Sequence, residues 1–129
     1  MWKAKILVVE DQSIVALSLR NKLRNLGYNV PDAVVSGEEA ISKVEKANID
    51  LVLMDIMLKG KMDGIEAAHI IQIRFGIPVI YLTACMDNET LERAQTTRPA
   101  GYLSKPFKEE DLFKNIEAAL YRTPLNKGN

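Results

Sequence analysis

Short aliphatic runs alternate with helical patterns along the whole chain, and polar turns separate them. Three of the runs, ILVV, LVLM and VIYL, are apolar without alternation, which is typical of strands covered on both faces of a sheet. The pattern predicts five strands, at residues 5–10, 28–34, 50–55, 78–82 and 100–103. Because helical patterns stand between these runs, we expect βαβ units and a parallel sheet.

Apolar stripes at helical spacing predict the helices between these strands. The predicted inner faces of the first, second, third and fifth helices are Val15, Leu19, Leu23 and Leu26; Ala40, Ile41 and Val44; Ala68, Ile71 and Phe75; and Leu112, Ile116, Ala119 and Leu120. Gly27 is predicted to end the first helix. A capping box from Ser36 to Glu39 opens the second, and Asp63 caps the third. The fourth, at residues 88–97, has the weakest apolar pattern.

Five strands and five helices in alternation predict a doubly wound α/β fold, a three-layer sandwich around a five-stranded parallel sheet with right-handed crossovers. Pro31 places the second strand at an edge of that sheet, because proline cannot donate a ladder hydrogen bond. This position agrees with the flavodoxin-like strand order 2-1-3-4-5. In such sheets ligands bind beyond the carboxyl ends of the strands.

The composition is that of one soluble globular domain: 129 residues, 47% hydrophobic and 26% charged. Seventeen basic residues balance seventeen acidic ones, so the net charge predicts no direct contact with nucleic acid and no attraction to a membrane surface. The longest apolar run, residues 77–86, is too short to span a bilayer, and no secretory segment precedes it. We therefore expect a cytoplasmic protein, and the lone Cys85 agrees with a reducing compartment.

Polar residues follow four of the predicted strands: Glu10, Asp11, Asp55, Thr83 and Lys105. Each alone is explained by turn, cap or solvated-surface chemistry, but the carboxyl ends of parallel strands share one edge of the sheet. Two carboxylates about 4 Å apart repel by roughly 4 kcal/mol at an effective dielectric near 20, so three of them require cations. Lysine supplies one positive charge, and ligands that are all oxygens favour Mg²⁺.

A metal site, a hydroxyl and a lysine around a carboxylate suit the binding of a phosphoryl group. Asp55 is the best candidate nucleophile, because it ends the central strand, between the acidic pair and Thr83. The sequence pieces ILVVEDQ, LVLMDIML, MDGIEAA, PVIYLTA and GYLSKPF occur in that order. With them, residues 3–121 of the chain resemble the receiver domain of two-component response regulators.

The resemblance implies a role for each residue of the site. Asp55 corresponds to the aspartate that accepts the phosphoryl group. Asp11 and Asp55 correspond to direct Mg²⁺ ligands, together with the backbone carbonyl of Met57, while Glu10 acts mostly through water. Residues 1–122 are then the receiver domain, and residues 123–129 are a short tail.

The resemblance also implies a switch. Thr83 would hydrogen-bond the phosphoryl group and Lys105 would pair with it, aimed inward by a cis Lys105–Pro106 peptide bond. Tyr102 matches the switch aromatic, whose rotamer follows the position of Thr83. Phosphorylation would thereby reshape the surface of the fourth helix, fifth strand and fifth helix.

The expected partners are a sensor histidine kinase or histidine phosphotransfer protein as donor and an output protein or domain as target. Analogy with the family allows, but does not require, a homodimer through the surface of the fourth helix, fifth strand and fifth helix. The protein would catalyse its own phosphorylation and dephosphorylation without being a turnover enzyme. Because only residues 122–129 follow Tyr121, we expect a stand-alone regulator or a piece of a longer kinase or regulator.

The chain departs from the family pattern after Asp55, where residues 58–61 lack a proline and run one residue longer. Met57 and Cys85 stand at the positions that tune phosphoryl lifetime, and neither orients water well, so we expect slow autodephosphorylation. Cys85 is interpreted as a packing residue and His69 as a surface residue. Ile70 and Ile73 are predicted on the same outward side of the third helix as His69. Either they form a contact patch on the surface, or the predicted phase of this helix is wrong.

Three alternatives remain at the level of sequence. A haloacid dehalogenase would have a second aspartate two residues after the nucleophile, where this chain has Met57. A flavodoxin-like FMN protein needs a Gly/Ser/Thr phosphate loop after the first strand, where Glu10 and Asp11 would repel phosphate. The third is a receiver-like interaction module that is never phosphorylated, which the five intact site positions disfavour.

Overall fold

A parallel four-stranded sheet forms the centre of the fold, in a computed structural model that describes residues 3–84 and 87–127, with side chains to residue 121. The strands, in sheet order, are β1 (Ile6–Val9), β2 (Leu51–Asp55), β3 (Val79–Thr83) and β4 (Gly101–Ser104). The helices are α1 (Ser13–Asn25), α2 (Gly37–Lys46), α3 (Gly64–Phe75), α4 (Asn88–Thr96) and α5 (Glu109–Lys127). The backbone of α5 passes the predicted domain boundary at residue 122, and that boundary stays a prediction.

The prediction of a fifth strand at residues 28–34 is wrong. This segment lies beside β1 but joins it only through two isolated parallel bridges, Lys5 with Asn29 and Val9 with Val34. Pro31 stands between the bridges and has no N–H, so the ladder cannot run through the segment. The other four predicted strands, at residues 5–10, 50–55, 78–82 and 100–103, correspond to β1, β2, β3 and β4. They lie in the predicted order.

Helices cover both faces of the sheet, as the continuous apolar runs require. Alternate residues of β1 show the division, because Ile6 and Val8 face one buried cluster and Leu7 and Val9 face the other. The first cluster packs under α1 and α5, and the second under α2, α3 and α4. Within the described residues, no helix is long and apolar enough to cross a membrane.

The predicted helix starts are confirmed by their caps. The Ser36 hydroxyl accepts a 3.1 Å hydrogen bond from the Glu39 amide at the start of α2. Asp63 opens α3 with a reciprocal capping box to Glu66, with distances of 2.9 and 3.1 Å. Gly27 follows α1 with a left-handed φ of 96°, which glycine adopts without strain.

The predicted inner faces are largely confirmed, and α1 is rotated slightly from its prediction. Ala16 is buried in α1 together with Leu19 and Leu23, while Val15 and Leu26 are only partly buried. The predicted inner residues of the other helices are all buried or packed against a buried cluster: Ala40, Ile41, Val44, Ala68, Ile71, Phe75, Leu112, Ile116, Ala119 and Leu120.

Candidate functional site

Three carboxylates meet at the carboxyl ends of β1 and β2. Glu10, Asp11 and Asp55 each offer an oxygen atom, and these atoms all lie within 4.8 Å of one another. Glu10 and Asp55 are buried, whereas Asp11 is partly exposed. Oxygen ligands at a partly open position fit Mg²⁺, which is held by one or two carboxylates and keeps several of its waters.

Lys105 supplies the positive charge predicted at this edge of the sheet. Its Nζ atom lies 2.9 Å from Glu10 Oε1 and 3.8 Å from Asp55 Oδ1. Its backbone amide donates a 2.9 Å hydrogen bond to the Thr83 carbonyl, and the Lys105–Pro106 peptide bond is cis. One ammonium group against three ionised carboxylates leaves an excess of negative charge, which suits a divalent cation.

The electrostatics of the site keep Asp55 close to its titration range. The pKa of Asp55 is raised from 3.8 to about 6, mainly because the carboxyl group is buried and also because the Glu10 carboxylate lies nearby. A 3.1 Å hydrogen bond from the Met57 amide to Asp55 Oδ1 and the charge of Lys105 act in the opposite direction. The side chain is therefore mainly an ionised carboxylate at neutral pH, the form that a nucleophile needs.

Thr83 ends β3 with a buried hydroxyl. Its Oγ1 atom is buried and makes no hydrogen bond to any of the described residues. Burying a hydroxyl in this way costs about 1–3 kcal/mol. A ligand with acceptor oxygens, such as a phosphoryl group, would remove that cost.

Tyr102 lies in β4 directly across the ladder from Tyr81. The two rings are tilted by 37°, with their centroids 5.9 Å apart, on the side of the sheet that α2, α3 and α4 cover. The Tyr102 hydroxyl oxygen is buried without a hydrogen-bond partner in the described part of the chain, and burial raises the pKa of this side chain. Tyr102 and Thr83 thus both carry unpartnered buried hydroxyls.

The loop after β2 helps to hold the Asp55 side chain in place. The Met57 amide donates to Asp55, while its side chain is 63% exposed, and its carbonyl as a metal ligand stays a prediction. Leu58 in the same loop is buried.

A Cβ atom added to Gly64, the first residue of α3, would overlap the Asp55 carbonyl oxygen. Close packing between α3 and the end of β2 therefore requires glycine at that position.

A pair of hydroxyl groups was missed by the sequence analysis. Tyr81 is fully buried, and its hydroxyl lies 2.7 Å from Thr97 Oγ1 at the end of α4. The side-chain amide of Gln72 in α3 donates a 3.1 Å hydrogen bond to the Thr97 carbonyl. Tyr81 belongs to an apolar strand pattern, so only the position of α4 in the fold shows that its hydroxyl has a partner.

The structure also places the residues that we interpreted as lying outside the site. His69 is exposed on α3, as predicted. Ile73 is 72% exposed and Ile70 is partly buried, so the predicted outward side is confirmed most clearly at Ile73. Cys85 lies outside the described residues.

Comparison with known proteins assigns the family. The family model described as the response regulator receiver domain matches residues 6–117. The chain belongs to this family. This receiver is 35% identical over 118 residues to the transcriptional regulatory protein PdtaR of Mycobacterium tuberculosis, a match that covers 92% of this chain and 57% of PdtaR. It is 32% identical over 120 residues to the DNA-binding response regulator MtrA of Mycolicibacterium smegmatis, covering 93% and 52% of the two chains.

Solved structures agree with this assignment. The signal receiver domain of a modulated diguanylate cyclase from Desulfovibrio desulfuricans superimposes with a TM-score of 0.93 at 37% identity, covering 97% of this chain and 99% of that one. The receiver domain of sensor histidine kinase PA1611 from Pseudomonas aeruginosa, which is described with magnesium coordinated in its active-site cleft, gives 0.82 at 30% identity, covering 92% and 98%. The chain spans little more than half the length of these two curated relatives. Receivers of this family are not typical turnover enzymes.

Proposed function

We propose that this receiver accepts a phosphoryl group on Asp55 from the phosphohistidine of a sensor histidine kinase or histidine phosphotransfer protein. One observation carries the proposal: the buried Asp55 carboxylate lies 3.8 Å from the Lys105 ammonium, inside a cluster of three carboxylates. The unpartnered Thr83 hydroxyl at the end of the neighbouring strand adds a hydrogen-bond donor for the incoming group. None of these side chains alone indicates which ligand binds here, but together they suit a phosphoryl group.

The chemical step is an in-line displacement at phosphorus. A carboxylate oxygen of Asp55 forms the new P–O bond while the P–N bond to the donor imidazole breaks, and the bonding pair leaves on the imidazole nitrogen. Lys105 pairs with the phosphoryl oxygens, and Thr83 donates a hydrogen bond to one of them. Bound Mg²⁺ supplies further neutralisation of charge on those oxygens. The residues that would hold it are Asp11, Asp55, the Met57 carbonyl and, through water, Glu10.

The signal leaves the site through Thr83 and Tyr102. We expect Thr83 to move toward the phosphoryl group and Tyr102 to follow it with a change of rotamer, which reshapes the surface of α4, β4 and α5. The buried hydroxyls of Thr83 and Tyr102 support this, because neither has a hydrogen-bond partner among the described residues, so the present position of each carries no hydrogen bond that a movement would break. The same surface would carry an output protein or domain, or a second copy of the receiver.

The direct test is phosphorylation with a small donor. Wild type incubated with Mg²⁺ and acetyl phosphate is expected to gain one phosphoryl group by intact-mass measurement, and hydroxylamine should remove it. Asp55→Asn should gain none. Asp32→Asn is the matched control, because Asp32 is an exposed aspartate that pairs with Arg20 on the surface, and it should react like wild type.

A second donor distinguishes a slow reaction from an absent one. If acetyl phosphate gives no adduct, a phosphorylated histidine kinase or phosphotransfer protein should still give it on Asp55. Failure of wild type with every donor would contradict the proposal and would favour the interaction module that is not phosphorylated. An adduct that survives in Asp55→Asn would contradict the assignment of the acceptor.

A further inference from the structure

Helix α4 is held to the domain differently from the other helices. Among its described residues only Ala94 is buried, whereas α1 and α2 each bury three residues and α3 buries five. Apolar burial is the main force that fixes a helix to a sheet. Polar contacts at its two ends must therefore contribute much of what holds α4 in place.

Two polar contacts join the C-terminal part of α4 to the rest of the domain, and they differ in strength. Arg93, in the last turn, makes a 3.0 Å ion pair with Asp63, but both side chains are substantially exposed, and exposed pairs contribute little. At its C-terminal end, Thr97 is bonded to the buried Tyr81 hydroxyl and to the amide of Gln72. The helix is therefore anchored at its C-terminal end.

The direction of the buried hydrogen bond follows from counting protons. The Thr97 hydroxyl lies 2.6 Å from the Ala94 carbonyl, which can only accept, so its single proton is donated there. Tyr81 must then donate its own proton to Thr97 Oγ1. Burial raises the pKa of Tyr81 to about 12, so the phenol keeps that proton at neutral pH.

The ring of Tyr81 also contacts Tyr102, the proposed switch residue in the neighbouring strand β4. The Tyr81 ring is the cross-strand neighbour of the Tyr102 ring, with a centroid distance of 5.9 Å. Tyr81 also stands two residues before Thr83, on the same face of β3. A change in the Tyr102 rotamer removes or alters a contact with the residue that anchors α4.

We propose that Tyr81 is a positioning residue of the switch. Its hydroxyl fixes the C-terminal end of α4, and its ring contact with Tyr102 couples the rotamer of Tyr102 to the position of that end. The second half rests on the proposed function, which makes Tyr102 the switch residue. The first half rests only on the contacts of Tyr81 and Thr97.

Amide hydrogen exchange without any phosphoryl donor tests the anchor. Just after α4, the amides of Thr97 and Arg98 donate to carbonyls of the last helical turn, so they report on this end. Tyr81→Phe and Thr97→Val should each raise their exchange by roughly three- to tenfold, the factor for one lost hydrogen bond. Thr96→Val is the matched control, because the exposed Thr96 bonds only within the helix, to the Arg93 carbonyl.

The control fixes the interpretation. Thr96→Val should change the exchange of both amides less than about twofold. Wild-type exchange in Tyr81→Phe would overturn the anchor, and so would an equal increase in Thr96→Val. Because this measurement needs no phosphoryl donor, a receiver that cannot be phosphorylated would contradict the proposed function and leave the anchor result standing.

The relay is tested with the phosphoryl mimic beryllofluoride and Mg²⁺. In wild type the mimic should change the exchange of the Thr97 and Arg98 amides, and Tyr81→Phe should lose at least about half of that change while still binding the mimic. Tyr102→Ala should by itself raise the exchange of both amides by roughly two- to tenfold, the range for an aromatic pair. An unchanged response in Tyr81→Phe, or wild-type exchange in Tyr102→Ala, would overturn the relay.

Discussion

Helices α3 and α4 begin alike and pack differently. Each follows a strand that ends in a site residue, Asp55 for α3 and Thr83 for α4, and each is capped by an aspartate side chain. Yet α3 buries five residues, while α4 buries Ala94 alone among its described residues. The side of the site with Asp55 is closely packed, and the side with Thr83 is held mainly by polar contacts.

This difference in packing between α3 and α4 matches what the proposed function requires of the two sides of the site. A nucleophile gains from a fixed position, because orientation toward the reacting atom lowers the barrier of the step. A switch needs an element with two arrangements that differ little in free energy, which extensive apolar burial would prevent. Under the proposed function, the packing of α3 would serve chemistry at Asp55, and the sparse packing of α4 would serve the response to it.

The strongest challenge to this comparison is an alanine substitution at the first residue of each helix. Gly64→Ala places a methyl group against the end of β2 and should lower the free energy of unfolding by about 2–4 kcal/mol. Asn88→Ala, at the exposed start of α4, should change it by less than about 0.5 kcal/mol. Urea denaturation measures both, and similar losses in the two variants would contradict the packing difference.

The buried acceptor should make stability depend on pH when metal is removed with a chelator. The pKa of Asp55 is raised to about 6, so ionisation disfavours the folded state, and stability falls as the pH rises from about 4 to about 6. Asp55→Asn lacks this fall and should be more stable than wild type above that range by on the order of 2 kcal/mol. Denaturation at several pH values gives both curves, and parallel curves would show that Asp55 is not desolvated.

The loop between β2 and α3 should set the lifetime of the phosphoryl group. Met57 has an exposed apolar side chain that cannot orient water, so replacing it with a polar group should speed hydrolysis. Met57→Asn is expected to lose the phosphoryl group roughly three- to tenfold faster than wild type, by intact mass over time. Met57→Leu controls for the loss of methionine alone, and an unchanged rate in Met57→Asn would show that this position does not control the lifetime.

The smallest expected effect is local, at the start of α4. The hydrogen bond from the Thr90 amide lowers the pKa of Asp87, so the ionised carboxylate stabilises this end. That contribution is complete above the ordinary aspartate range and is lost as the pH falls through the lowered pKa. Protection of the Thr90 amide should fall on acidification in wild type and stay level in Asp87→Asn, which caps without titrating. Equal loss in both would rule out the cap.

The site was predictable from sequence because its residues follow strands. Glu10, Asp55 and Thr83 each come directly after or at the end of an apolar run, and parallel strands bring such ends together. The strand predicted at residues 28–34 is absent, since Pro31 interrupts a segment whose composition otherwise suits a strand. The bond between Tyr81 and its partner on α4 depends on where that helix docks, and local pattern carries no signal of this.

The most direct measurement is a crystal structure with Mg²⁺ and beryllofluoride. We predict beryllium bonded to a carboxylate oxygen of Asp55, with its fluorides contacting the Thr83 hydroxyl and the Lys105 ammonium. The metal should lie against Asp11 and Asp55. A bare Asp55, or Thr83 and Lys105 turned away from it, would contradict the claim that these strand ends form one phosphoryl site.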